Sequence, residues 1–308
     1  MSETESSLRG IIPPLITPMR EGAVDTAALG RLVDHVVDGG VHGIFIAGTT
    51  GEYSMLSDAL WADLLTATVE AASGRVPVLV GITRESTAET IAAATQAGKA
   101  GADIVVANTP AYFSVSQSEL ATHFERIADA SPLPVMLYNI PQNTGNPIGY
   151  DLVVRLADHP NIMGLKDSSG ALEPLRYLKH RLGDRQFGIY LGTDVLGDVC
   201  SQLGLDGTVP SIANVVPRLV VDAWDAAQAG DLGRSARLHA IVASYSRIYD
   251  LGRQASGGQF VAAIKRALAI RGIDCGDPIP PVQPATEEEA DGIERVLAAA
   301  EALQAGVA

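Results

Sequence analysis

Lysine is scarce in this chain: only Lys99, Lys166, Lys179 and Lys265 occur, against eighteen arginines. Basic residues as a whole are outnumbered, 22 to 36, and the formal charge of −14 is spread along the chain without a basic stripe. Such a surface repels phosphate backbones and anionic bilayers, so neither nucleic acid nor membrane is an expected partner. Cysteine is almost absent. Cys200 and Cys275 form no metal-ligand or redox spacing, which points to a reducing compartment and two inert thiols. The six histidines show no His-x-x-x-His spacing, so no metal site is expected. No apolar run is long enough to span a bilayer, and the opening "MSETESSLRG" lacks the apolar segment of a signal peptide. A soluble cytoplasmic protein is the expectation.

What is present is a repeating alternation. Apolar residues make up 47% of 308 residues, enough for a large core. Eight short runs rich in Val, Ile and Leu occur near Ile12, Phe45, Leu79, Val105, Met136, Met163, Tyr190 and Thr208. Their hydrophobicity is continuous rather than alternating, as in parallel strands buried on both faces. Stretches with helical spacing lie between them at 26–38, 57–72, 87–97, 116–130, 172–181 and 195–202. Eight such units predict an α/β fold, a closed (β/α)8 TIM barrel, with a doubly wound open sheet as the alternative. Only helical spacing follows, over 217–228, 232–251, 259–269 and 286–303, with the proline-rich "DCGDPIPPVQP" between the last two. The expected organisation is a barrel over 1–228 and a C-terminal helical domain over 229–308.

In such barrels the chemistry lies at the C-terminal ends of the strands. Strand two ends in "GTTGE", with Gly48, Thr49 and Thr50; strand four ends in "NTPAYF", with Tyr112. Strand five ends in "YNIPQNTG", with Tyr138 and Asn143, and strand six in "GLKDSS", with Lys166 and Ser168. Strand seven ends in "GTDV", with Thr193 and Asp194, and strand eight in "VPSIAN", with Val209 and Ser211. Lys99, Lys179 and Lys265 fall in helical stretches, where a solvated face is the simple expectation. Lys166 alone follows a buried strand. It either snorkels to the rim or serves as an amine, withdrawn from water, that attacks a ketone carbon. A Schiff base also needs a group that moves protons, and Tyr138 closes the strand before it. Glu52 and Asp167, beside tight turns, are read as structural acids that cap a helix or pair with a cation.

"GTTGE", "TPAYF", "YNIPQNTG" and "GLKDSS", in this order and spacing, resemble the dihydrodipicolinate synthase and N-acetylneuraminate lyase family over essentially the whole chain. Each motif alone is modest; the four together are specific. The resemblance implies a barrel with a helical C-terminal domain, a homotetramer built as a dimer of dimers, and class I chemistry on pyruvate or another 2-oxo acid without metal or organic cofactor. It also implies roles: Lys166 as the Schiff-base lysine, Tyr138 as the proton shuttle, and Thr49 and Thr50 as the pair that binds the carboxylate and joins the relay. Tyr112 matches an aromatic residue lent to a neighbouring subunit's site.

The departures bear on the second substrate. Dihydrodipicolinate synthases carry an arginine where this chain has Asn143, and a neutral amide cannot replace a bidentate, charge-assisted grip. Sialic acid lyases place an acid where this chain has Val195, and lysine-regulated synthases commonly have a tyrosine in place of Ala111. Asn143, Ser168, Thr193, Asp194 and Ser211 instead suggest recognition of hydroxyls. The expected activity is therefore an aldolase or lyase joining pyruvate to an aldehyde, on a 2-keto-3-deoxy sugar acid. The alternatives are 4-hydroxy-tetrahydrodipicolinate synthase, a sugar-acid dehydratase of the same family, and a non-catalytic sugar-acid-binding relative.

Overall fold

The eight apolar runs become eight parallel strands: β1 Gly10–Ile11, β2 Ile44–Ile46, β3 Val78–Gly81, β4 Ile104–Asn108, β5 Val135–Asn139, β6 Ile162–Asp167, β7 Gly188–Leu191 and β8 Gly207–Thr208. A computed structural model describes residues 8–251 and 258–306; the first seven residues of the polar amino-terminal stretch lie outside them. Strands two to eight pair in chain order, and β1 lies beside β8. The remaining edges meet where Leu15 N–H donates to Phe45 O and Phe45 N–H donates to Pro13 O. The sheet thus closes on itself, which rules out the doubly wound alternative.

Twelve helices accompany the strands among the described residues: α1 Thr26–Asp38, α2 Asp58–Ala72, α3 Thr87–Ala100, α4 Gln117–Ala130, α5 Pro141–Thr144, α6 Tyr150–Leu156, α7 Leu172–Leu182, α8 Gly197–Gln202, α9 Pro217–Gln228, α10 Leu232–Ser246, α11 Gln259–Ile270 and α12 Glu287–Ala305. Local chemistry starts and stops them. Asp25, Ser57 and Ser86 accept from the backbone at the starts of α1, α2 and α3, and full capping boxes open α4 and α12. Gly101, with φ +89, ends α3 three residues beyond the expected position. The expected helix over 232–251 is α10 followed by a 3-10 turn, Arg247–Asp250. The short α6 and a small hairpin, Met19–Arg20 with Ala23–Val24, carry too little periodicity to be marked in sequence. None of the described helices is long and apolar enough to cross a membrane.

The core has two layers, as a barrel requires. Ile12, Phe45, Leu79, Val106, Met136, Tyr138, Tyr190 and Val209 fill the interior, while a larger cluster fills the space between strands and helices. The C-terminal helices pack onto this outer layer through Tyr245, Ile248, Ile264, Leu268 and Ile293. One expectation is overturned here. Lys265 is buried, not solvated, because α11 is apolar on nearly every side; its amine pairs with Glu52 at 2.9 Å.

Candidate active site

Parallel register brings the site together. Asn108 lies opposite Tyr138, and Tyr138 opposite Lys166, on three consecutive strands. Residues at equal height on neighbouring strands face the same way, so the phenol and the amine both point into the barrel mouth. Lys166 is 4% exposed, and its Nζ lies 3.9 Å from the centroid of the Tyr138 ring and 4.9 Å from that of Phe45. Among the described residues it makes no ion pair. The ring faces supply the compensation for removing a cation from water.

Glycines make room for this amine. A Cβ on Gly192 would stand 1.9 Å from Ser168 Oγ and 3.3 Å from Lys166 Cε. A Cβ on Gly48 would meet the Phe45 ring at 2.6 Å, so the Thr49–Thr50 turn settles directly on that ring. Any larger side chain at either position would displace the lysine pocket.

The hydroxyls converge as the sequence suggests. Thr49 Oγ1 and the Tyr138 hydroxyl lie 3.3 Å apart, and Thr50 Oγ1 and Ser211 Oγ 2.9 Å apart. Ser168 stands beside the Tyr138 hydroxyl. Burial pushes the Tyr138 phenol up, but Lys166 and the side chains of Thr49 and Ser168 pull it down more strongly, leaving it below the usual tyrosine value. A phenol depressed in this way ionises earlier and serves better as a base as pH rises. Its folded value lies below its unfolded value, so it adds stability only in the alkaline range and none near neutrality. Burial holds Tyr53, Tyr150, Tyr190, Tyr245 and Tyr249 above the usual value. An ultraviolet titration should therefore show a tyrosine that ionises below pH 10 and disappears in Tyr138→Phe. Persistence of that early ionisation in the variant would reassign it.

Asp194 sits across the mouth and within the field of Lys166; burial pushes its carboxyl up. Its Oδ1 accepts from Ile212 N–H at 2.9 Å, which ties the β7 loop to the 3-10 turn Ser211–Asn214. Beside it stands Tyr249 of the C-terminal region, whose phenol is partnered by the Asp194 carboxylate. Burial and the Asp194 carboxylate hold this phenol well above the usual range. Sequence reading gives no sign of Tyr249 at the site, because it lies in a helical run far along the chain from the strand ends. Tyr53 is a second such residue: its hydroxyl accepts from Asn108 Nδ2 at 2.9 Å.

Other named residues lie further out. Asn143 is exposed on the short helix α5 that follows β5. Thr193 is half-buried, with Oγ1 accepting from Val195 N–H. Val209 packs into the barrel interior, and its N–H is taken by Leu191 O. Tyr112 is 81% exposed and stacks edge-on against Phe113, outside this chain's own lysine pocket. Asp167 is structural, though among the described residues it neither caps a helix nor pairs with a cation. It accepts from Asn139 Nδ2 at 2.7 Å and from Ser169, fixing the ends of β5 and β6. Among the described residues no cluster of His, Cys, Asp and Glu is arranged to hold a metal ion.

Comparison with known proteins agrees with this geometry. The model of the dihydrodipicolinate synthetase family matches residues 7–300. An uncharacterized DapA-like lyase from Halobacterium salinarum is 33% identical, over 94% of this chain and 93% of its own length. A 4-hydroxy-tetrahydrodipicolinate synthase from Corynebacterium aurimucosum is 36% identical over 92% and 91%. Among solved structures, dihydrodipicolinate synthase from Bacteroides thetaiotaomicron superposes with a TM-score of 0.90 at 34% identity, covering 95% of this chain and 98% of its own. YagE from Escherichia coli, solved in complex with pyruvate, gives 0.89 at 31% identity with the same coverage. A family match over nearly the whole chain, on a barrel whose mouth holds a buried lysine over a tyrosine ring, leads to one conclusion: this chain belongs to the dihydrodipicolinate synthetase family of carbon–carbon lyases.

Proposed function

We propose that this lyase is a class I aldolase in which Lys166 forms a Schiff base with pyruvate, and that its second substrate is a hydroxyaldehyde, released from a 2-keto-3-deoxy sugar acid. The observation that carries the reading is the amine of Lys166 held in a buried slot against Tyr138, whose hydroxyl reaches Thr49. Lys166 Nζ adds to the keto carbon, forming a carbon–nitrogen bond, and the carbinolamine oxygen leaves as water after receiving a proton through Tyr138. The iminium draws electrons from the neighbouring carbon. In cleavage, the hydroxyl of the sugar-acid chain gives its proton to Tyr138 as the carbon–carbon bond breaks, the aldehyde departs, and an enamine remains. Protonation of the enamine and attack by water then return pyruvate and the free lysine. Thr50, whose hydroxyl meets that of Ser211, is read as part of the grip on the 2-oxo acid carboxylate. Tyr112, exposed beside Phe113, is read as a side chain for a neighbouring copy in a tetramer.

The second substrate follows from charge. Position 143 carries an exposed amide, and Asp194, within the field of Lys166, and Ser168, beside the Tyr138 hydroxyl, suit hydroxyls better than a carboxylate. Asp194→Asn should preserve the adduct with pyruvate while raising KM for the sugar acid by about tenfold or more, the scale for a charged hydrogen-bonding partner. A panel of 2-keto-3-deoxy sugar acids, scored by pyruvate release, tests the assignment; release from none of them overturns it. The names of the relatives favour a second reading, a 4-hydroxy-tetrahydrodipicolinate synthase. That reading predicts formation of 4-hydroxy-tetrahydrodipicolinate at a rate exceeding cleavage of any sugar acid.

A further inference from the structure

Two of the four lysines are buried, and the mechanism uses only one. The other, Lys265, comes from α11 and meets Glu52 at 2.9 Å with both side chains 2% exposed. Glu52 closes the turn that carries the two threonines, donating its N–H to Thr49 O at 3.1 Å. Its backbone is left-handed, with φ 60 and ψ 32, a region that a residue with a side chain occupies only when its surroundings hold it there. Glu52 Oε1 accepts from Ile279 N–H at 2.6 Å, Oε2 faces Lys265 Nζ, and that amine also donates to Asp277 O at 2.8 Å. One carboxylate thus joins the threonine turn, α11 and the 277–279 segment in a space closed to water.

A buried ion pair is a poor device for stability, because apolar residues of the same volume commonly do as well. What it supplies is a fixed geometry. We propose that the Glu52–Lys265 pair is a strut through which the C-terminal helical region sets the position of the Thr49–Thr50 turn, and with it the affinity for the 2-oxo acid carboxylate. Both residues are positioning residues. The affinity part rests on the function proposed above; the positioning part does not.

The experiment uses the full chain and three variants: Glu52→Gln, Lys265→Met, and the two combined. Each single change leaves one buried charge without its partner and should lower the melting temperature; the double change removes both charges and should recover it. Amide hydrogen exchange at Thr49–Gly51 should be faster in all three, the double variant included. Half-saturating pyruvate in borohydride trapping should rise by about tenfold or more, with the limiting extent of trapping preserved. Exchange and half-saturation that recover together with stability in the double variant would reduce the pair to a structural one and overturn the proposal, as would wild-type exchange in the singles. Failure of the wild-type chain to trap pyruvate would count against the proposed function, and the exchange data would still decide the strut.

Discussion

Lys166→Met is expected to lower carbon–carbon cleavage by about a million-fold, the scale on which removal of a covalent nucleophile acts. Without the amine there is no iminium to accept electrons from the breaking bond, and nothing else in the mouth replaces it. Fold stability should hold. Lys166 makes no ion pair among the described residues, and its slot is walled by the rings of Tyr138 and Phe45, so a methionine of similar length fills it without stranding a charge. The measurement is turnover alongside the melting temperature. Retained turnover would remove Lys166 from the chemistry, whereas a collapse in melting temperature would make it a structural lysine.

Tyr138→Phe is the second large effect. The ring under the amine and its edge contact with Phe45, at 6.4 Å between centroids, both survive; only the hydroxyl near Thr49 is lost. Removing a positioned proton carrier costs about a hundredfold to ten-thousandfold in kcat, or roughly 3 to 5.5 kcal/mol on the barrier. Adduct formation should slow without disappearing, because the nucleophile is intact. A kcat within a factor of about three of wild type would assign proton transfer to another group; Tyr53, held near Asn108 at the neighbouring strand end, would be the next to test.

The site was readable where chemistry interrupts a pattern. A single lysine at the end of an apolar run stands out because strands buried on both faces tolerate no other cation, and the strand before it ends in tyrosine. The threonine turn was readable from its flanking glycines. Lys265 departs from the solvated face expected of a helical lysine because α11 is apolar nearly all round: Val261, Ala262, Ala263, Ile264, Ala267 and Leu268 are all buried, and that run is the signal in the sequence. Tyr249 and Asp194 meet only through the docking of the C-terminal region on the barrel, a long-range contact that no local spacing encodes. The helix α6 is short and follows "GNPIG", where glycine and proline obscure any period.

The central claim is a covalent enzyme–substrate bond at one residue. The direct test is to incubate the protein with pyruvate, reduce with borohydride, and map the modified peptide by mass spectrometry, with Lys166→Ala in parallel. The account predicts one adduct per chain, on Lys166 within "IMGLKDSSG", and none in the variant. An adduct on another lysine, or an unmodified wild-type chain shown to be folded, would contradict it.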